Sequence, residues 1–307
     1  YTGGGCPHIL AEPQRTNLLT YSEDFSQWSS SGGMAVTLNN STSPSGDVNA
    51  TLLVTSNAND VIYTNVSSTI ASTFSVYVKW KVGSGNIDLS SDGGSSYTSL
   101  PVTDGWTRIS ISPTAIANQV ALRIPTSGSE LWVWGAQLEE GYATSYIPTS
   151  GSTVTRNQDI FTRDGIGSLI NSTEGVLFLE MAALSDDGSY RQFSITDGTV
   201  DNRIIIRYTP TSNQINAYLY NGSVQGGQMD FTLTDSTVFS KIAYKWKVND
   251  FALWVDGVEV VTSSSGTTFS SGTLNKLNFD YSGAYFLNAK VKQLQVYDTA
   301  LTDEQLL

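Results

Sequence analysis

Between residues 73 and 82 the chain alternates without a break. Phe74, Val76, Val78, Trp80 and Val82 are apolar, and Ser75, Tyr77, Lys79 and Lys81 fall between them. A period of two sustained that long predicts a half-buried β-strand with Trp80 on its core face. Similar but shorter runs predict strands at 34–38, 86–90, 106–112, 119–124 and 131–138. Turn residues separate them, among them Asp92-Gly93-Gly94 and Asp104-Gly105. A weakly apolar stretch rich in Ser, Thr and Gly, 142–156, then interrupts the pattern and marks a boundary. A second series follows at 175–184, 203–208, 215–220 and 239–248. Two apolar runs, 251–255 and 258–262, flank Asp256-Gly257, a strong hairpin signal. Runs at 274–279 and 288–297 complete the set. Only the end reads as helix, with Thr302 as N-cap and Gln305 at the capping-box position. The first seventeen residues, with Gly3-Gly4-Gly5, Pro7 and Pro13, read as irregular.

Many short strands with almost no helix predict an all-β protein of two tandem antiparallel β-sandwiches. The 307 residues suffice for two ordinary cores, and no short fixed period suggests a solenoid or propeller. Charged residues make up only 14% of the chain, so hydroxyls and amides dominate its polar surface. The net charge of −12 repels phosphate backbones and argues against a nucleic-acid partner. No apolar run reaches the length of about 18 that a membrane helix needs, and membrane insertion is not expected. A single cysteine, Cys6, rules out an intrachain disulfide framework. The chain opens on Tyr1 with no signal-like segment, which predicts a piece of a longer protein.

Several phrases resemble modular proteins of bacteriophage virions and prophages. Glu12-Pro13-Gln14-Arg15-Thr16-Asn17-Leu18-Leu19, followed by Tyr21-Ser22-Glu23-Asp24-Phe25, is similar to the opening of their first β-sandwich. Trp134-Gly135-Ala136-Gln137-Leu138-Glu139-Glu140-Gly141 resembles the strand that closes it. Ala143-Thr144-Ser145-Tyr146-Ile147-Pro148-Thr149 and Val154-Thr155-Arg156 resemble its exit. This module resembles a carbohydrate-binding jelly roll. The second half resembles a concanavalin A-like, or laminin-G-like, sandwich through Glu174-Gly175-Val176-Leu177-Phe178, Trp254-Val255-Asp256-Gly257, Tyr297 and Ala300-Leu301-Thr302-Asp303-Glu304-Gln305. Together they divide the chain into a lead-in at 1–16, a jelly roll at 17–148, a linker with the next domain's first strand at 149–172, and a concanavalin A-like domain at 173–307.

Chemistry narrows the function. The single histidine, His8, would have to serve any Ser-His-Asp or Cys-His arrangement. Cys6 and His8 lie two apart, but no strand-turn-helix elbow positions the thiol. One His and one Cys cannot build a tetrahedral nitrogen and sulfur metal site. Glycoside hydrolysis needs two carboxylates about 5–5.5 Å or 6.5–9.5 Å apart. The nearest candidates, Glu174 and Glu180, have only Gly175 to Leu179 between them and no intervening carboxylate. No catalysis is therefore expected. The jelly-roll resemblance implies a structural calcium held by oxygen ligands. Glu23, Asp24, Asp47 and Gln137 are its candidates, although the closing strand has Gln137 where an aspartate is usual.

Glycan binding rests on aromatics, because a sugar's apolar face stacks on Trp or Tyr while amides and carboxylates read its hydroxyls. The chain has 7 Trp and 15 Tyr. Trp132 and Trp134 share one strand face, Tyr218 and Tyr220 another, and Tyr281 and Tyr285 flank Ser282-Gly283-Ala284 in a predicted loop. These six are the candidate platforms. The resemblance implies a virion-surface, extracellular spike, fibre or tail adhesin that binds host-surface glycan without catalysis. Its partners would be other virion proteins and copies of itself, as a trimer. The alternatives are a polysaccharide depolymerase or its accessory modules, and a purely structural capsid decoration.

Overall fold

Strands dominate because β-branched and aromatic residues alternate with small polar ones and Asx-Gly turns recur. The computed structural model describes residues 7–66, 71–115 and 119–306, with the backbone alone at 112–115. By its contacts the chain divides into two units, Gln14–Asn157 and a second formed by Tyr1–Pro13 with Gln158–Leu307.

In the first unit, strands Thr107–Ala115, Ala71–Val82, Glu130–Glu140, Val48–Val54 and Ala35–Thr42 form one five-stranded antiparallel sheet, in that order. Strands Ser29–Ser30, Asp60–Asn65, Gln119–Ile124, Gly85–Ser90 and Thr98–Val102 form the other. Phe74, Val76, Val78, Trp80, Leu131 and Val133 from the first pack with Ile62, Leu89, Val120 and Leu122 from the second in one buried cluster. The result is a sandwich whose core residues occupy alternate strand positions. The phrases that resemble an opening, a closing strand and an exit meet at Asn17. Its amide nitrogen donates to the Ala136 carbonyl at 3.2 Å and the Ile147 carbonyl at 2.9 Å. Its oxygen accepts from the Leu19 and Leu138 amides, each at 3.1 Å.

In the second unit, strands Ile9–Leu10, Ala289–Tyr297, Gly175–Ala183, Ser240–Trp246, Phe251–Val255 and Val258–Ser263 make one six-stranded antiparallel sheet. Strands Thr162–Arg163, Lys276–Asn278, Arg191–Thr196, Arg203–Tyr208, Gln214–Asn221 and Val224–Thr232 make the other, called the front sheet below. Leu177, Leu179, Tyr244, Trp246 and Leu253 meet Phe193, Ile195, Ile204, Ile206 and Leu219 in the core between them. The hairpin at Asp256-Gly257 forms with both residues at positive φ, 50° and 80°, as a type I′ turn demands. Gly175 sits where a Cβ would stand 2.5 Å from the Tyr297 carbonyl oxygen and 2.6 Å from the Trp246 ring. The helix Asp303–Leu306 follows the expected cap, with the Thr302 amide donating to Gln305 Oε1 at 2.9 Å.

Two departures from the sequence reading have physical causes. The opening stretch is not uniformly irregular: Ile9–Leu10 extends the second unit's sheet, and Arg15–Asn17 pairs with Val154–Arg156. Both strands are too short to show a period. The strand Val48–Val54 lacks alternation because Ala50, Thr51, Leu52 and Leu53 are all buried, on both faces of a central strand. Cys6 lies outside the described residues, and the His8 ring contacts Phe239 edge-on at 5.8 Å.

Candidate functional site

The front sheet places its even-numbered residues at 192–196 and odd-numbered residues at 203–207 away from the core. Ser194, Ile205 and Tyr218 lie across from one another in register, as do Arg203 and Tyr220, and Arg207 and Asn216. Five tyrosines and two arginines close a ring over this outer face. The Arg203 guanidinium lies between Tyr220, 4.5 Å from the ring centre, and Tyr281, 4.4 Å away. Arg207 lies between Tyr190 at 4.4 Å and Tyr218 at 5.0 Å. Edge contacts join Tyr218 to Tyr220 at 5.6 Å and Tyr190 to Tyr285 at 5.2 Å, and Tyr281 meets Tyr285 at 5.7 Å. Each cation over a ring face contributes about 0.5–2 kcal/mol, more as water is excluded. The ring covers Ile205, which points away from the core yet is fully buried.

Beside this ring is a pocket of about 250 Å³. Its floor is polar: Thr162, Gln192, Ser194 and Asn278 come from adjacent strands, and Arg203 and Tyr281 form one wall. The tight turn Tyr281-Ser282-Gly283-Ala284 completes that wall, with Ser282 and Gly283 at φ 48° and 82°. Asp280 pins the turn: its carbonyl accepts from Ser194 Oγ at 2.9 Å and its Oδ1 from the Gly283 amide at 3.2 Å. The Gln192 amide donates to the Tyr285 carbonyl at 2.9 Å, fixing the next residues to the same floor. Several floor groups already pair, as Thr162 Oγ1 does with Asn278 Oδ1 at 2.8 Å. Gln192 is different. Its side chain is fully buried, and neither its amide oxygen nor its amide nitrogen has a partner. Buried polar groups are nearly always paired, so Gln192 stands out as an amide whose partner the described residues do not supply.

Four of the six aromatic candidates therefore gather here, in unequal roles. Tyr285 is 48% exposed and Tyr281 half-buried, so both present ring surface. Tyr220 is partly exposed and donates to Gln225 Oε1 at 2.9 Å. Tyr218 is only 3% exposed and is not a platform; it supports Arg207. Burial pushes its hydroxyl up to about 12, with the Arg207 charge opposing. Trp134 is also corrected: it is 5% exposed, with Tyr77 at 5.4 Å and Tyr146 at 4.5 Å covering its ring. Trp132 lies in the first unit, partly exposed, with its indole N–H donating to Asn40 Oδ1 at 3.0 Å. Sequence reasoning missed Tyr190, Gln192, Arg203 and Arg207. The alternation Gln192, Ser194, Thr196 against Phe193, Ile195 was the available signal, as was Arg203, Ile205, Arg207 against Ile204, Ile206.

The calcium candidates carry protein hydrogen bonds of their own. Glu23 accepts from Tyr146 Oη at 2.8 Å and Asn49 Nδ2 at 2.9 Å. Asp24 caps the turn at Phe25–Gln27 by accepting from the Ser26 amide at 3.1 Å. Asp47 accepts from Ser45 Oγ at 3.3 Å. Gln137 Oε1 accepts from the Ile147 amide at 2.7 Å. Among the described residues no three His, Cys, Asp or Glu side chains form a group that could hold a metal. Glu174 and Glu180 are bound to Lys247 at 3.0 Å and Lys292 at 3.1 Å.

Among the comparisons with known proteins, a family model falls within the second unit. Residues 180–307 match the Laminin_G_3 model, described as the concanavalin A-like lectin/glucanases superfamily. No curated protein matches the chain. Among solved structures, the Ruminococcus gnavus IT-sialidase CBM40 bound to alpha2,3 sialyllactose is 17% identical, with 48% of this chain and 96% of that chain covered and a TM-score of 0.39. Sheep galectin-11 in complex with glycerol is 6% identical, covering 46% and 99%, with a TM-score of 0.33. The Bacillus licheniformis β-glucanase is 17% identical, covering 44% and 58%, with a TM-score of 0.30.

Proposed function

We propose that the second unit binds glycan through the pocket and aromatic ring of its front sheet, without catalysis. The observation that carries this reading is Gln192, buried with both amide atoms unpartnered on the floor of a pocket walled by Tyr281. An amide that can donate and accept, beside an aromatic face, suits a ligand that is apolar on one side and hydroxylated on its rim. Among the described residues the pocket's lining holds one carboxylate, Asp280, where glycoside hydrolysis takes two.

The phrases around Asn17, Trp134 and Ile147 extend the proposal to context. The chain would belong to a bacteriophage virion spike, fibre or tail adhesin, displayed as a trimer with other virion proteins at the extracellular surface. Shallow sites repeated on such an appendage would gain avidity through effective concentration.

A glycan array and a whole-cell binding assay test this with wild type and Tyr281→Ala. Binding by wild type and its loss in a folded Tyr281→Ala protein are expected, with no new reducing ends on incubation with the bound polysaccharide. A folded, multimeric wild type that binds neither array nor cells would contradict the reading. Oligosaccharide release would contradict its non-catalytic part.

A further inference from the structure

We infer that this pocket selects a sugar bearing a carboxylate, and that Arg203 is the group that reads it. The inference rests on the glycan-binding role proposed above and adds the ligand's chemical class. Arg203 is only 6% exposed, and its Nε and Nη1 have no hydrogen-bond partner. Its remaining polar contact is a long one, Nη2 to Tyr281 Oη at 3.4 Å. Tyr220 and Tyr281 lie over its guanidinium and hold it in place, and the two unpaired nitrogens flank Nη2, so a ligand would meet the guanidinium along an edge that includes Nη2.

Leaving a charge this buried without a counter-ion is unfavourable. The chain has 28 acidic residues against 16 basic, yet among the described residues none pairs with Arg203. Other cations of this protein do find acids: Arg191 meets Asp187 at 2.7 Å, Arg123 meets Asp88 at 2.8 Å, and Lys276 meets Asp164 at 3.1 Å. Arg203 is thus a preformed, desolvated donor fork of the kind that takes a planar carboxylate in bidentate fashion.

The lining also decides the ligand's charge. It contains Arg203, Lys276 and Asp280. Asp164 already neutralises Lys276, and Asp280 repels any anion of high charge. One free positive centre suits a monoanion better than a phosphate or sulfate cluster. The pocket's volume suits one sugar ring, whose hydroxyls would meet Gln192 and Asn278 while its carboxylate meets Arg203. A hexuronate and a nonulosonate both offer this combination.

Calorimetric titration separates the possibilities. The probes are methyl β-glucuronide, N-acetylneuraminate, methyl β-glucoside and inorganic phosphate, each added to the full chain. The expected result is that at least one acidic sugar binds roughly ten-fold or more tightly than the glucoside, and that phosphate does not match it. Arg203→Lys keeps the charge but loses the fork, and should erase most of that preference while Tm stays close to wild type. Equal binding of acidic and neutral sugars would overturn the carboxylate assignment and leave the glycan-binding role standing. Phosphate binding as tight as the acidic sugar would show a simple anion site and overturn the sugar class. Acidic sugars that fail to bind while the array reports neutral glycans would overturn this inference alone. A blank array as well would overturn both.

Discussion

Replacing Asn17 by alanine tests what the opening, closing and exit phrases of the first unit do physically. Asn17 is fully buried and makes four hydrogen bonds to main chain from three separate segments. Alanine would orphan two N–H groups, of Leu19 and Leu138, and remove one partner from each of two carbonyls. A buried donor left unpaired costs about 1–3 kcal/mol, and a carbonyl with a second lone pair less. The sum comes to roughly 3–5 kcal/mol after partial relaxation. Domains are stable by only about 5–15 kcal/mol, so the unit should lose a large share of its margin. For a unit of this size that corresponds to a fall in melting temperature of roughly 10–15 °C. Urea unfolding gives the energy, and hydrogen exchange gives the location: the Leu19 and Leu138 amides should lose protection first. Asn17→Asp keeps the volume but cannot donate to Ala136 and Ile147, and should lose at least as much. A loss under about 1 kcal/mol in Asn17→Ala would refute the assignment of these phrases to one buried clamp.

Other expectations follow from the second unit. Folding raises the Tyr218 hydroxyl from 10.0 to about 12, so the folded state holds its proton more tightly than the unfolded chain. Its contribution to stability is complete below pH 10 and is lost as pH rises through about 12; the fall in Tm across that window should shrink in Tyr218→Phe. Gly175→Ala pushes a methyl into the Tyr297 carbonyl and the Trp246 ring, and should destabilise by about 1–3 kcal/mol in urea unfolding. A calcium held by Glu23, Asp24, Asp47 or Gln137 should raise Tm on addition of the ion, with a chelator reversing the rise; an unchanged Tm would argue against an ion there.

Much of the fold was legible because burial on one side of a strand leaves a period of two. Strands Gln119–Ile124, Arg203–Tyr208 and Phe251–Val255 fall where alternation or the Asp-Gly turn puts them. Val48–Val54 was hidden because a central strand covered on both faces has no period to read. The lead-in strands were hidden because a pairing between residues 15–17 and 154–156 leaves no local trace.

The site was half legible. Tyrosine pairs could be found by spacing, but which of them face a pocket depends on pairings between strands far apart in sequence. Tyr281 meets Arg203 only because the turn at Ser282-Gly283 folds back over the front sheet. Trp134 illustrates the opposite error: parity put it on one strand face with Trp132, as a candidate platform, but Tyr146 of the exit segment closes over it. Unpaired atoms such as those of Gln192 and Arg203 are invisible in sequence, since pairing is a property of the neighbours.

The central claim is that glycan meets the front sheet of the second unit. Amide hydrogen exchange, with and without a saturating oligosaccharide chosen from the array, tests it directly. Protection is expected in segments 190–207 and 276–285 and none in the strand that carries Trp132. Protection confined to the first unit would contradict it.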